Sequence, residues 1–352
     1  MKLSLSSPQS DIKSMVVIEP EAIKLLPDYS RGHTKLIVVA DKNAYSHLHD
    51  YLDQYVAAGK DLIELEISEK AKDLKTVEAV LRELKARGCD RKSLVVAIGG
   101  GVLCDAVGYA ASSYMRGIQW IAIPTTLIAQ ADAAIGGKTG VNLEEYKNLI
   151  GAFWQPKAVL VDPNMLKTLP ERHIKAGLAE IVKMGFIDNK QIVELFNSSE
   201  TNDVLTQLIE LSAEGKVSIV NDDPMESGER KLLNFGHTLG HAFESLSLAT
   251  SEPLLHGEAI SIGMVAETKL AELEGVCAPE LTKTIQEILT KIGLPTSSSS
   301  QDRDEILKRV VLDKKNEGGK TLWTLPKEVG RGIYNHQARE ENIISAIDFV
   351  TK

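Results

Sequence analysis

The 352-residue sequence has few cysteines, few aromatic residues and no excess of positive charge. Its three cysteines, Cys89, Cys104 and Cys277, lack the spacing of a metal site or a disulfide framework, which fits a reducing cytoplasm. The net charge of -9 argues against non-specific nucleic-acid binding, because such binding needs a basic surface. No apolar run is long enough to span a membrane, and the first residues lack the apolar core of a signal peptide. We therefore expect a cytoplasmic globular protein with neither nucleic-acid nor membrane partners.

The sequence does contain two halves with different periodicities. Over the first 160 residues, short β-branched runs such as KLIVVA, SLVVAI and QWIAIP alternate with segments of helical periodicity. Strands that are apolar throughout and alternate with helices predict a parallel sheet covered on both faces. From about residue 161, apolar residues recur three or four apart, as is typical of helices. We predict an α/β domain with a Rossmann-like site over residues 1–160 and a mostly α-helical domain over residues 161–352.

A glycine-rich turn follows the strand SLVVAI. The segment GGGVLCD, residues 99–105, opens the next predicted helix. Glycines at such a turn let the backbone approach a ligand closely, and a helix N-terminus favours anions. Thr125 and Thr126 follow the next strand, and both turns lie at carboxyl ends of parallel strands, where open α/β sheets bind ligands. Because GGGxxxD is not the dinucleotide pattern GxGxxG, a tight turn without a ligand remains an alternative.

Cationic side chains are concentrated downstream of this turn. Lys138 follows two glycines, Lys147 and Asn148 come nine residues later, and Arg116 ends the helix that begins at the glycine turn. Lysines beside glycine turns and asparagines coordinate phosphate well. The alternative is an ordinary solvated surface.

The second half contains NFGHTLGHAFE, residues 234–244. His237 and His241 are one helical turn apart, and Asn234 is expected on the same face one turn earlier. His256 begins another predicted helix, and Glu180 lies in a third, GLAEIVKMG. One carboxylate and two imidazoles with an open fourth position are the ligands of a catalytic zinc site. Spacing does not decide which two histidines coordinate, and purely structural histidines are the alternative.

Ten ordered motifs resemble those of the 3-dehydroquinate synthase family: GGGVLCD, YMRG, PTT, DAAIGGKTGVN, KNLIGAFWQP, LKTLPER, AGLAEIVK, ERKLLNFGHTLGHAFE, HGEA and DKK. The match runs from about Asp41 to Lys315. The resemblance implies a cytoplasmic, usually homodimeric sugar-phosphate cyclase of the shikimate route to chorismate and the aromatic amino acids. Such an enzyme uses NAD and one divalent metal ion, zinc or cobalt. It converts 3-deoxy-D-arabino-heptulosonate 7-phosphate to 3-dehydroquinate and phosphate by transient oxidation, phosphate elimination, reduction and intramolecular aldol closure.

The resemblance also implies roles for individual residues. The implied metal ligands are Glu180, His237 and His256. The implied phosphate pocket contains Arg116, Lys138, Asn148, Asn234, His241 and a lysine of DKK, Lys314 or Lys315, with Arg116 supplied by the partner subunit. The substrate's hydroxyls and carboxylate are implied to meet Asp132, Lys147, Lys183, Lys216 and Arg230. The implied cofactor residues are Asp41, Asn43, Glu69 and Lys72 on the adenosine side, and Gly100, Gly101, Val102, Asp105, Thr125, Thr126, Lys138, Lys147 and Thr168 around the remainder. Those implied to take part in catalysis are Lys138, Lys183, Glu180, His241 and Asn148.

Three other functions compete with this interpretation. Another sugar-phosphate cyclase, such as an amino-dehydroquinate, deoxy-scyllo-inosose or valiolone-type synthase, would share the fold, NAD and metal. The pairs Lys147–Asn148 and Arg230–Asn234 favour a carboxylate-bearing heptulosonate phosphate, but the amino analogue stays open. A metal-dependent alcohol dehydrogenase would release reduced cofactor and needs no phosphate pocket. A non-catalytic nucleotide-binding protein would have lost a ligand or base, and no such loss is visible.

Overall fold

The structure is a computed structural model that describes residues 1–6, 13–55, 61–144, 146–298, 302–312 and 321–351. The chain divides into two compact units: the first contains Met1–Pro170 and Lys216–Met225, and the second contains Glu171–Gly215 and Glu226–Lys352. Nothing in the sequence pattern near residue 160, where we place the domain boundary, signals that a later segment belongs to the first unit. Among the helices of the described ranges, none has the length and apolarity that crossing a membrane requires.

The first unit is built on a sheet. Its strands are β1 (Lys2–Leu5), β2 (Ser14–Ile18), β3 (Leu36–Asp41), β4 (Leu62–Leu65), β5 (Leu94–Gly99), β6 (Gln119–Pro124), β7 (Lys138–Leu143), β8 (Tyr146–Phe153) and β9 (Ala158–Val161). Seven of them form one sheet in the order β1-β2-β9-β6-β5-β3-β4, and β7 pairs with β8 in a separate hairpin. All sheet neighbours are parallel except β1 and β2, so the predicted parallel sheet is confirmed.

The order of the strands determines where this sheet can bind a ligand. The helices of the unit are α1 (Leu26–Ser30), α2 (Lys42–Leu52), α3 (Leu74–Ala86) and α4 (Gly101–Ser113). The successive strands β4 and β5 lie on opposite sides of β3, which makes the space between β3 and β5 a topological switch point. Ligands of open α/β sheets bind there, beyond the carboxyl ends of the strands. At this switch point β3 ends at Asp41 and β5 ends at Gly99.

The second unit is mostly helical, as predicted. Its helices are α5 (Glu171–Ile187), α6 (Lys190–Ser198), α7 (Leu205–Asp222, which crosses the division after Gly215), α8 (His237–Ser247), α9 (His256–Leu273), α10 (Leu281–Lys291), α11 (Arg303–Leu312) and α12 (Glu340–Val350). A hairpin absent from the sequence prediction, β10 (Trp323–Glu328) with β11 (Arg331–His336), completes the unit. Helix α9 is buried on nearly all sides and packs against α5, α8, α10 and α12. It is therefore the central helix of the unit, which explains why apolar and small residues occur on all of its faces.

A buried carboxylate at the end of α9, Glu274, contacts the start of α12 and the end of β11. Glu274 accepts hydrogen bonds from the backbone N–H of Arg339 (3.0 Å) and the side chain of Asn342 (2.6 Å), and it lies 3.4 Å from His336 Nε2. Burial opposes the charged carboxylate, but these partners outweigh burial and lower the pKa of Glu274 to about 2.

We expect Glu274→Gln to lower the free energy of unfolding at pH 7 by roughly 1–3 kcal/mol, since it weakens hydrogen bonds to a charged group. A carboxyl whose pKa is lower in the folded state stabilises the protein above its unfolded pKa, about 4.3, and this contribution is lost as the pH falls through the folded value. The difference between variant and wild type in urea unfolding should therefore shrink as the pH falls from 5 towards 2. Exposed Glu341 on α12 provides the control, Glu341→Gln. A difference that does not change with pH would contradict this role.

Candidate active site

One carboxylate and two imidazoles converge within the second unit. Glu180 lies on α5, and its Oε1 is 3.5 Å from His237 Nε2 on α8 and 3.2 Å from His256 Nε2 on α9. One ligand atom from each of the three residues lies within 4.8 Å of the other two. Because zinc–ligand bonds are about 2.0–2.2 Å long, one ion fits between these atoms after small side-chain shifts. The donor set therefore suits a divalent ion with one open position.

The Nδ1 atom of each imidazole faces a hydrogen-bond acceptor. His237 Nδ1 lies 3.0 Å from the carbonyl oxygen of Phe235, which can only accept, so Nδ1 carries the proton. His256 Nδ1 faces Glu244 Oε2 at 3.4 Å. Both rings direct Nε2 towards Glu180.

Neighbouring charged side chains shift the pKa values of Glu180 and His256. Burial opposes the charged form of Glu180, but Lys183, whose Nζ lies 2.5 Å from Glu180 Oε2, and His237 hold the pKa of that carboxyl well below its usual range. Burial likewise opposes the charged form of His256, but Glu244 and Glu180 outweigh it and raise the pKa of His256 to about 10. The same two carboxylates would also attract a bound cation.

Asn234 does not belong to the helix of the two histidines, contrary to the sequence prediction. It ends a 3-10 helix, Glu229–Asn234, and α8 begins only at His237. Gly236 adopts a left-handed conformation, with φ of 80°, and this breaks the helical path. The Asn234 side chain instead donates to Glu226 Oε1 at 3.0 Å.

His241 lies one turn after His237, as predicted. Their ring centroids are 5.3 Å apart, and His241 is 5.9 Å from the His256 ring. Ligand atoms of His241, Glu244 and His256 also lie within 4.8 Å of one another. Glu244 is absent from the residues predicted from the sequence, although its position three residues after His241 places it on the same helical face.

The start of α8 is held by a buried carboxylate from α9. Glu267 is fully buried and accepts hydrogen bonds from the backbone N–H groups of Gly236 (2.6 Å) and Leu239 (3.0 Å). These amides flank His237 and belong to the helix end that has no intrahelical acceptors. The carboxylate also stabilises the positive end of the helix dipole.

We expect Glu267→Ala to lower the free energy of unfolding by about 2–5 kcal/mol, because two buried N–H groups would lose their acceptor. Urea unfolding of the metal-free protein would measure this. Glu272→Ala is the matched control, since Glu272 lies on the same helix, is 6% exposed and accepts one backbone N–H, that of Thr282. Equal losses in the two variants would show that Glu267 has no special role at the start of α8.

In the first unit, the glycine turn after β5 (residues 99–101) is joined to the turn after β6 that contains Thr125 and Thr126. The backbone N–H of Thr125 donates to the Gly99 carbonyl at 2.9 Å. A Cβ atom at Gly100 would lie 3.1 Å from Thr126 Cγ2, so the two turns are tightly packed. Helix α4 starts at Gly101 without a side-chain cap, which leaves its first amides to an anion or to water. Across the switch point, Asp41 caps α2 by accepting from the backbone N–H groups of residues 43 and 44.

A buried lysine, Lys72, contacts both Asp105, which the resemblance assigns to the cofactor, and Asn148, which it assigns to the substrate phosphate. Lys72 is 4% exposed, and its Nζ donates to Asp105 Oδ2 (2.5 Å) and Asn148 Oδ1 (2.6 Å). Burial raises the pKa of Asp105, although Lys72 opposes this shift. The backbone N–H of Asn148 donates to Asn142, whose side chain donates to Glu69 Oε1 at 3.0 Å. Asn142, which is absent from the sequence prediction, thus links the two predicted groups.

Other predicted residues lie elsewhere in the two units. Lys216 Nζ donates to the Asp132 carbonyl at 2.7 Å and lies 2.9 Å from its Oδ1, and Lys147 Nζ is 3.9 Å from Glu69 Oε1. The remaining residues are Asn43 and Val102 in the first turns of α2 and α4, Lys138 at the start of β7, Thr168 at the end of the 3-10 helix Pro163–Thr168, and Arg230, buried in the 3-10 helix before α8. Arg116 does not end α4 as predicted: α4 stops at Ser113, and Arg116 follows it with φ of 69°. Lys314 and Lys315 lie outside the described residues.

Comparisons with known proteins identify the family of this chain. Family models described as the N-terminal and C-terminal parts of 3-dehydroquinate synthase match residues 62–176 and 177–316. A 3-dehydroquinate synthase of Dictyoglomus thermophilum is 39% identical, covering 92% of this chain and 91% of its own length. Among solved structures, a 2-epi-5-epi-valiolone synthase from Streptomyces hygroscopicus subsp. jinggangensis with NAD+ and Zn2+ bound has a TM-score of 0.86 at 28% identity, covering 98% of each chain. A 2-deoxy-scyllo-inosose synthase with carbaglucose-6-phosphate, NAD+ and Co2+ has a TM-score of 0.87 at 26% identity, covering 99% of this chain and 100% of its own. The chain therefore belongs to the 3-dehydroquinate synthase family.

Proposed function

We propose that this chain converts 3-deoxy-D-arabino-heptulosonate 7-phosphate to 3-dehydroquinate and phosphate, using NAD and one divalent metal ion. The observation that carries the proposal is the convergence of Glu180, His237 and His256, in a chain whose family performs this reaction. The reaction oxidises a substrate carbinol, eliminates phosphate, restores the carbinol and closes a ring. The active-site residues must therefore bind both the phosphate and the carboxylate of the substrate, and they must keep NAD bound throughout the catalytic cycle.

The metal site would be formed by the three converging side chains. A bound zinc or cobalt ion would supply Lewis-acid polarisation of a substrate oxygen. Lys183, 2.5 Å from Glu180, keeps that carboxylate ionised and presents an ammonium beside the site. His241 shares the α8 face with His237 and would bind the departing phosphate, with Asn234 contributing from the preceding 3-10 helix.

The cofactor would lie at the switch point of the parallel sheet. NAD would supply a reversible hydride acceptor, which is regenerated in each cycle. The turn at residues 99–101 and the uncapped start of α4 offer backbone amides to its diphosphate, and Thr125 and Thr126 offer hydroxyls. Asp41, Asn43, Glu69 and Lys72 would contact the adenosine side, with Val102, Asp105 and Thr168 around the remainder.

The substrate's charge explains why several proposed contacts are cationic side chains. Its phosphate and carboxylate both require positive partners. Asp132 orients the Lys216 ammonium through its carbonyl and carboxylate, which suits a contact to a substrate hydroxyl or carboxylate. The remaining proposed substrate contacts are Arg116, Lys138, Lys147, Asn148, Arg230 and Lys314.

We also infer a cytoplasmic homodimer in which Arg116 serves the partner's site. Arg116 is exposed and follows Met115, which is 45% exposed and whose apolar side chain would be removed from water at an interface. Light scattering should give twice the mass of the chain. A monomeric mass with full activity would exclude this assembly.

The proposed reaction can be tested by following phosphate, 3-dehydroquinate and NADH together in one assay. We expect equal amounts of phosphate and product with no net NADH, since the cofactor is regenerated. Stoichiometric accumulation of NADH would instead identify a dehydrogenase. Preferred turnover of glucose 6-phosphate or of the amino analogue of the substrate would identify a different cyclase.

A variant pair links this assay to the metal site. His256→Ala should abolish metal-dependent turnover, because it removes a proposed ligand. His173→Ala is the matched control, since His173 is exposed on α5. Full activity in both variants would exclude His256 as a ligand.

A further inference from the structure

Glu244 is a buried carboxylate beside the proposed metal site that none of the roles above includes. It lies on α8, its side chain is 8% exposed, and its Oε2 is 3.4 Å from His256 Nδ1. Burying a carboxylate is costly unless it is paired, so its position beside the imidazole needs an explanation.

The two proposed histidine ligands are oriented by different kinds of acceptor. His237 donates from Nδ1 to the backbone carbonyl of Phe235, which remains whatever the side chain there. His256 depends on a side chain, since its Nδ1 faces Glu244. The His256 side chain is 34% exposed and that of His237 is 13% exposed, so packing alone constrains His256 less.

We propose that Glu244 is a positioning residue that orients His256 for metal binding. Accepting the Nδ1 proton fixes the tautomer in which Nε2 coordinates, prevents rotation of the half-exposed ring and makes the imidazole a better donor. The inference rests on the proposed function, because it presumes an ion between Glu180, His237 and His256. Glu244 is not itself a ligand of that ion, since it faces the ring nitrogen opposite to the one that faces Glu180.

Direct titration with Co2+ tests this role without measuring turnover. Competition with a chelator gives the affinity, and the visible absorption of bound Co2+ reports ligand geometry. We expect Glu244→Ala to bind Co2+ about 10–100-fold more weakly than wild type and to shift the absorption bands. Glu244→Gln should lose clearly less, because an amide oxygen still accepts the Nδ1 proton. Glu272→Ala, which removes a similarly buried carboxylate from α9, should bind Co2+ as wild type does.

Thermal unfolding of the metal-free variants shows whether each is folded. If Glu244→Ala is not, Glu244→Asp replaces it, because its shorter side chain withdraws the acceptor and should weaken Co2+ binding similarly. Affinity within twofold of wild type in the folded Ala or Asp variant overturns the inference. Equal losses in the Gln and Ala variants, or two Co2+ ions per wild-type chain, also overturn it. Failure of wild type to bind Co2+ would overturn the proposed metal site as well, whereas equal tight binding by wild type and variant overturns the role of Glu244 alone.

Discussion

Replacing Gly257 with alanine is expected to disrupt the metal site and destabilise the second unit. Gly257 is the second residue of α9 and packs directly on α5: a Cβ atom there would lie 1.8 Å from the carbonyl oxygen of Ala176 and 2.5 Å from its carbonyl carbon. Backbone atoms cannot rotate away as side chains do, so α5 and α9 would have to separate. These helices carry Glu180 and His256, whose contact is 3.2 Å.

We expect the free energy of unfolding to fall by about 3 kcal/mol or more, at the upper end of overpacking effects. Co2+ affinity should fall at least about 100-fold, since each ligand must lie within a few tenths of an ångström of its bonding position. Gly275→Ala is the control, because nothing lies within 4 Å of its added Cβ atom. Its left-handed backbone, with φ of 70°, should cost about 1–2 kcal/mol without changing Co2+ affinity. Wild-type affinity in Gly257→Ala would show that the two helices can separate without loss of the site.

Replacing Glu180 with glutamine is expected to have the second large effect. The carboxylate is 1% exposed, faces both imidazoles and pairs with Lys183, which is also 1% exposed. The change removes the only anionic ligand of the proposed set and leaves a buried ammonium without its carboxylate. We therefore expect the loss of measurable Co2+ binding and turnover, and a loss of about 3–5 kcal/mol in stability.

The double variant Glu180→Gln with Lys183→Met separates these two effects. Removing the buried ammonium should recover most of the stability, because an apolar side chain of similar length needs no countercharge. It should recover neither Co2+ binding nor activity. If the single variant binds Co2+ as wild type does, Glu180 is not a ligand.

The central strands β3, β5 and β6 of the main sheet are predictable because they are buried nearly throughout and so read as unbroken apolar runs. Strand β8 gives no such signal, since most of its residues are exposed or half-buried and it contains Lys147 and Asn148. The sequence also does not predict that Lys216–Met225 belongs to the first unit, because the helical periodicity of α7 continues through Gly215 without interruption.

Residues of the candidate site can be predicted from the sequence where they lie close together along the chain or belong to a motif that resembles the family. Asn234 is placed wrongly because helical spacing does not reveal the left-handed Gly236. Glu244 could have been found, since it shares the helical face of His241. Glu267 could not, because it lies 31 residues after Gly236 and reaches it only through the packing of α9 on α8. Such supporting contacts depend on tertiary structure rather than on spacing.

The most direct test of the metal site is a crystal structure of the Co2+-loaded protein with anomalous diffraction recorded at the cobalt absorption edge. We predict a single strong anomalous peak at about 2.0–2.2 Å from a Glu180 carboxylate oxygen, His237 Nε2 and His256 Nε2. A peak bound instead by His241 and Glu244, with Glu180 outside bonding distance, would contradict the account.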